Sequence, residues 1–312
     1  MITSCPAMQQ PWAGAVWLDL SDATDVERDA VAAATGLRVP TKAAIEEIET
    51  TSRVFTENGA LYLSTPVLAP KDTPLPLSAI GFVLTEKVLV SVRFAPHAVI
   101  DAVLASCAKD PAPSASSVFL RLLEALVDSG ADMLEHASTE LDAVSHRAFR
   151  ADERQPRRKN QTAGSLRRTL RKLGHLGDMV SHIRDTLLGI GRISAFVSET
   201  SSGVLGVELP RLHAVRTDIA SLSDYQSQLS NKVQFLLDAT LGFISIEQND
   251  VVKTLTIVSV VGVPPVLVAG IYGMNFHAMP ELSWAYGYPF ALLLIVVTTL
   301  LPLVWFKWRG WM

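Results

Sequence analysis

Cysteine is nearly missing: Cys5 and Cys107 are the only two in 312 residues. Thiols so few and so widely separated exclude a disulfide framework or a thiolate metal knuckle, and they fit a reducing compartment. The first residues hold no basic stretch leading into an apolar run, so no signal peptide is expected. Also missing are a phosphate-binding glycine loop, a metal-ligand spacing, and a nucleophile set between a strand and a helix. His97, His136, His146, His175, His182 and His213 follow no pattern. An enzyme is therefore not expected.

Charge is the most informative absence. No Asp, Glu, Lys or Arg occurs from Thr254 to Pro280 or from Leu282 to Phe306, and only Glu281 divides the two runs. A hydrocarbon layer of about 30 Å needs about 20 apolar residues at 1.5 Å rise, so each run can cross once. The segment between them, His277–Tyr288, has no Lys or Arg, whereas Lys253 precedes the first span and Lys307 and Arg309 follow the second. The positive-inside rule then puts both termini in the cytoplasm and the loop outside. Trp284, Tyr286, Tyr288, Trp305, Trp308 and Trp311 gather at the two ends of the second span, as an aromatic belt would.

What remains is mostly acidic. Net charge is −4, but Arg147–Lys172 carries ten basic residues against Asp152 and Glu153, leaving the rest at −12. The basic cluster lacks interleaved aromatics, so a nucleic-acid partner is not expected.

The patterning predicts an α+β cytoplasmic domain followed by long helices and two C-terminal transmembrane helices. In residues 1–110, strands are expected at Ala15–Leu20, Leu61–Thr65, Ala79–Leu84 and Val88–Phe94. Helices are expected at Thr24–Thr35, ended by Gly36, and at Thr41–Ser52. Residues 115–200 read as a helical hairpin, Val118–Arg150 and Leu166–Glu199, around a break at Gln155–Gly164. A cytoplasmic stalk helix is expected over 210–253, the first span over 254–276, an external loop over 277–288, the second span over 289–306 and a basic tail over 307–312.

Leu212, Val215, Ile219, Leu222, Gln226, Leu229, Val233, Leu236, Thr240 and Phe243 form a heptad seam with two polar interruptions. No proline interrupts it before the first span, so one helix is expected from Leu212 to Tyr272. Either the hairpin covers that seam or copies of the chain do. An oligomer is expected, because two spans cannot enclose a pore.

Stepping along the first span at helical spacing gives one face: Asn249, Val252, Leu255 or Thr256, Ser259, Val263, Val266 and Gly270. Polar stations lie at its ends and near its middle, with aliphatic residues between them. Such a face suits a pore that gates by dewetting, or else small hydroxyl residues serving helix packing. Pro264-Pro265 supply either a gating kink or ordinary membrane prolines.

Tyr272-Gly273-Met274-Asn275-Phe276 close the first span, followed by Met279-Pro280-Glu281-Leu282. This stretch resembles the signature of the CorA-type magnesium and cobalt transport family, and the order of domains is similar over nearly the whole length. The resemblance implies a funnel-shaped homopentamer in the inner membrane that passes Mg2+, with Co2+ and Ni2+. It implies a selectivity filter at Gly273, Met274 and Asn275, and a gate held shut by cytosolic Mg2+ bound between subunits. Mg2+ is then both cargo and regulator, membrane lipid and divalent cations are the partners, and no permanent cofactor is expected. Mg2+ surrenders water reluctantly, and amide and carbonyl oxygens bind its hydration shell without stripping it. Asp218 and Asp224 on the stalk, with Asp19, Asp22, Asp25 and Asp72, are candidate regulatory carboxylates.

Three departures bear on ion choice. His277 stands where the family's loop commonly has a second acid beside Glu281, Val266 takes a position often held by Thr, and the hairpin tip is basic. His277 also leaves open a zinc or other transition-metal transporter of the same family. A membrane-anchored sensor or scaffold is the reading from another class.

Overall fold

The structure, a computed structural model, describes residues 1–6, 12, 14–47, 53–68, 77–110, 114–150, 159–200, 206–274, 279, 280 and 284–311. It divides into two compact units, Met1–Leu237 and Asp238–Met312.

The first unit opens with a six-stranded sheet. Its strands are β1 (Ile2–Cys5), β2 (Trp17–Ser21), β3 (Val54–Glu57), β4 (Ala60–Leu68), β5 (Leu77–Leu84) and β6 (Leu89–Arg93), in the order β1-β2-β6-β5-β4-β3. Only the β2–β6 pair is parallel. Alternation along the strands splits the core. Leu18, Leu20, Val90 and Val92 face one side with Val31 of α1 (Asp25–Thr35) and Ile45 of α2 (Lys42–Glu46). Trp17, Leu89, Phe82 and Leu84 face the other, against α3 (Ala98–Lys109) and α4 (Ala115–Arg150). α1 begins where Thr24 and Glu27 cap each other's backbone and stops at Gly36, whose φ of 71° only glycine adopts readily. β1, β3 and α3 had no counterpart in the sequence reading.

α4 and α5 (Lys159–Thr200) are the helical hairpin. The expected break narrows: Lys159–Gly164 are helical, and Gln155–Arg158 lie outside the described residues. Gly189 of α5 lets the helix press on β4, since a Cβ there would collide with Thr65 Oγ1. A short 3-10 turn, Gly206–Glu208, leads into α6 (Leu209–Tyr272), a single helix of 64 residues.

The structure decides between the two covers expected for the seam on α6. The seam is covered from within the chain. Leu212, Val215, Ile219, Leu229, Val233 and Leu236 are buried in the same core as the hairpin. Gly191 and Gly177 of α5 open room for Ile219 and Val233, at 3.5 and 3.4 Å from where a Cβ would lie. Gln226 donates from Nε2 to the Val180 carbonyl at 3.3 Å. Arg211 grips Glu124 through two hydrogen bonds of 3.1 and 2.7 Å, and Lys232 meets Asp142 at 2.8 Å. Gln226 therefore faces the hairpin and not a symmetry mate, and Thr240 is likewise buried within one chain.

The second unit holds the remainder of α6 and α7 (Gly287–Trp308), both long and apolar enough to cross a membrane. The Lys253 ammonium lies 5.5 Å over the Trp311 ring, so the start of one apolar stretch meets the end of the other.

Candidate functional site

The face read from sequence exists as one continuous surface of α6. Asn249, Val252, Leu255, Ser259, Val263, Val266 and Gly270 are exposed, and Thr256 is half-buried. The exposed valines are nearly bare, Val263 at 62% and Val266 at 71%. Lys253, Ile257, Val261, Pro264, Val268 and Tyr272 form the half-covered stripe on another side of the helix. Thr256 borders that stripe beside Ile257, which accounts for its partial cover. Its hydroxyl donates to the Val252 carbonyl at 2.9 Å, which leaves the oxygen free to accept. Acceptors of that kind are what water around a cation needs.

Pro264 and Pro265 sit inside an unbroken helix. Neither has an N–H, so the carbonyls four residues back, on Val260 and Val261, lose their helical partners. An acceptor without a partner is costly in hydrocarbon and is tolerated where water or protein reaches it. The sequence carried this signal in its paired prolines, which were read as a gating kink or as ordinary membrane prolines.

At the far end of the face the Gly273 N–H bonds the Ala269 carbonyl at 3.0 Å, and the Met274 N–H bonds Ile271 at 3.2 Å. A Cβ on Gly273 would lie 3.1 Å from the Ala269 oxygen, so glycine here allows tight closure of the last turn. Met274 is half-exposed. Asn275, His277 and Glu281 lie outside the described residues.

The carboxylates sort into two kinds. Asp218 and Asp224 are exposed on α6, six positions apart and so on different sides of the helix. Within one chain nothing brings them together, and among the described residues no group of three or more His, Cys, Asp or Glu could hold a metal. Asp19, a candidate from the α/β domain, is not available to a cation. It is 1% exposed and accepts from Ser91 at 2.6 Å and from Arg93 Nε and Nη2 at 3.0 and 2.9 Å. Burial pushes its carboxyl above the usual range, against the pull of Ser91 and Arg93. Arg93 also reaches Asp101 at 2.6 Å. Asp25 is spent on Arg28, Asp22 is exposed, and Asp72 lies outside the described residues.

His97 stands beside this network. Its imidazole is buried, with Nδ1 unpartnered among the described residues, and burial followed by the Arg93 charge holds its pKa below the ordinary value. The two thiols, far apart in sequence, also meet: Cys5 Sγ lies 3.5 Å from the Cys107 carbonyl. Burial and Cys107 push the Cys5 thiol up to about 11, which leaves it inert at neutral pH.

Comparison with known proteins follows the same lines. The sequence model of the family described as CorA-like Mg2+ transporter protein matches residues 12–308. The magnesium transport protein CorA of Haemophilus ducreyi is 31% identical over 301 residues, covering 96% of this chain and 92% of that protein. Its namesake in Escherichia coli is 30% identical over 312 residues, covering 97% and 94%. Among solved structures, the complete CorA magnesium transporter from Methanocaldococcus jannaschii superposes with a TM-score of 0.74 at 19% identity, over 95% of this chain and 91% of that one. At that identity the likeness speaks for the fold.

Proposed function

The chain belongs to the CorA-like Mg2+ transporter family, and from that membership we propose that it carries Mg2+ across a membrane through a pore built from several copies of its C-terminal unit. One observation carries the reading: the face from Asn249 to Gly270 alternates polar and aliphatic side chains and is left uncovered in a single chain. Two spans enclose nothing, and several copies would turn this face toward a common axis.

In that arrangement Asn249, Thr256 and Ser259 hydrogen-bond the water around the ion, along with the freed carbonyls at mid-span. Mg2+ keeps its hydration shell, so acceptors placed for water serve it better than a cage of carboxylates. Val252, Leu255 and Val263 form the narrow apolar rings that close by expelling water. At the mouth the Asn275 amide oxygen and the Gly273 and Met274 carbonyls select the hydrated ion, and Glu281 supplies attraction. Five copies, passage of Co2+ and Ni2+, and closure by internal Mg2+ held between subunits near Asp218 and Asp224 belong to the same proposal. So do an inner-membrane location with both termini in the cytoplasm, the absence of a resident cofactor and the absence of a catalysed reaction.

The test is ion uptake by the purified chain in liposomes. Outside Mg2+ is expected to raise internal Mg2+, with Co2+ and Ni2+ competing. Asn275→Ala is expected to abolish selective influx at unchanged oligomer yield. Wild-type influx in that variant refutes the selectivity role. Zn2+ outrunning Mg2+ points to a transition-metal carrier acting through His277, and the absence of all divalent flux points to an anchor.

A further inference from the structure

One exposed surface of α7 is shaped to receive a chain. Val297, Leu300, Leu301, Val304, Trp305 and Trp308, all on one face of α7, line a shallow, open apolar groove of about 540 Å3. Its walls are open, with Leu301 65% and Trp308 83% exposed. Eleven residues separate its ends, about 16 Å at helical rise, or roughly half of a 30 Å hydrocarbon layer. The groove thus belongs to a single leaflet. It ends beside Lys307 and Arg309, and the Arg309 guanidinium lies 5.3 Å over the Trp305 ring. Neither cation has an ion-pair partner among the described residues. The other end of the helix has aromatics and no Lys or Arg.

We propose that this groove seats an acyl chain of an anionic phospholipid in the leaflet at the Lys307 end, with Lys307 and Arg309 holding its phosphate. The cations stand at the end of the groove and not along it, as a headgroup above a chain requires. A second copy's helix would need apolar contact along the whole groove and no cation at its rim. The inference rests on the membrane reading above and is independent of transport.

The full chain in bilayers of phosphatidylcholine, doped with brominated-chain phosphatidylglycerol or brominated-chain phosphatidylcholine, tests this by tryptophan quenching. The Trp305 and Trp308 signal is the difference between the wild type and the W305F/W308F variant. It is expected to reach half-quenching at about thirtyfold lower content of the anionic lipid, the combined advantage of two basic side chains at an anionic surface. K307Q/R309Q is expected to bring the two curves together. Equal curves in the wild type, or a preference that survives K307Q/R309Q, would overturn the proposal. So would a Trp305 and Trp308 signal untouched by either lipid while the remaining signal, which includes Trp284, is quenched, because a second copy would then fill the groove. If no tryptophan is quenched, the membrane reading fails together with the inference. Loss of ion uptake with quenching intact faults transport alone.

Discussion

Two valines on one helix show how differently the two units are finished. Val233, in the first unit, is 6% exposed and packs where Gly177 of α5 makes room. Val263, thirty residues further along α6, is 62% exposed. The first unit meets its own needs: the seam is covered, Gln226 has a carbonyl, and the Asp19 carboxylate is held by Arg93. The second unit leaves apolar side chains bare along α6 and α7, with 0% and 6% of the two apolar windows buried. One unit buries most of its large apolar side chains within a single chain. The other needs a different solvent and, on the proposed reading, copies of itself.

The largest expected effect is on the first unit. Asp19→Ala leaves Arg93 buried beside an empty place, and removing one partner of a buried pair costs about 3–5 kcal/mol. Hydrogen exchange should show global loosening of peptides from residues 1–237. Protection unchanged there would mean that the Asp19–Arg93 pair does not hold β2 to β6.

The valine pair gives the next contrast. Val233→Ala should cost the first unit about 1–3 kcal/mol through the space it leaves. Val263→Ala should change that unit's unfolding by less than about 0.5 kcal/mol, as an exposed site would. Equal losses would erase the distinction between the units.

A smaller effect comes with pH. His97 has its folded pKa lowered from 6.5 by burial and by Arg93. Below 6.5 the unfolded chain takes up a proton that the folded chain refuses, so this share of stability is present above pH 6.5 and is lost as pH falls through the folded value. Denaturant melts of the wild type between pH 7.5 and 5.5 should show falling stability, and His97→Gln should flatten the slope. A slope unchanged by the substitution would place the pH response elsewhere.

These contrasts also explain what the sequence made legible. Thr24 and Gly36 marked α1 correctly because caps are local chemistry. The long helix was legible because no proline interrupts the seam before it runs into the first apolar stretch. The partner of the seam was not, since a heptad pattern shows that a face is apolar and leaves open which surface covers it. Two glycines on α5, at 177 and 191, hold that answer, and they gain meaning only once the helices are paired. Asp19 was read as a free acid because Ser91 and Arg93 stand more than seventy positions away, and only the β2–β6 register makes them neighbours. On the second unit the order is reversed. Helical spacing alone set the residues of the proposed face in one line, which depends on one helix and on no partner, and that line shares its exposure with Val251, Val258 and Leu267. The mouth beyond Met274 was legible only through its resemblance to a family signature.

The central claim is that this face lines a path for ions, and cysteine accessibility during flux tests it most directly. The background is quiet, because Cys5 and Cys107 are both buried. Single cysteines would replace Ser259 and Val263 on the proposed pore face, Val258 on another exposed side and Val268 on the half-covered stripe. A charged, water-soluble thiol reagent should stop Mg2+ influx through the Ser259→Cys and Val263→Cys channels and leave Val258→Cys and Val268→Cys conducting. Block at Val258 or Val268 with Ser259 and Val263 untouched would contradict the account.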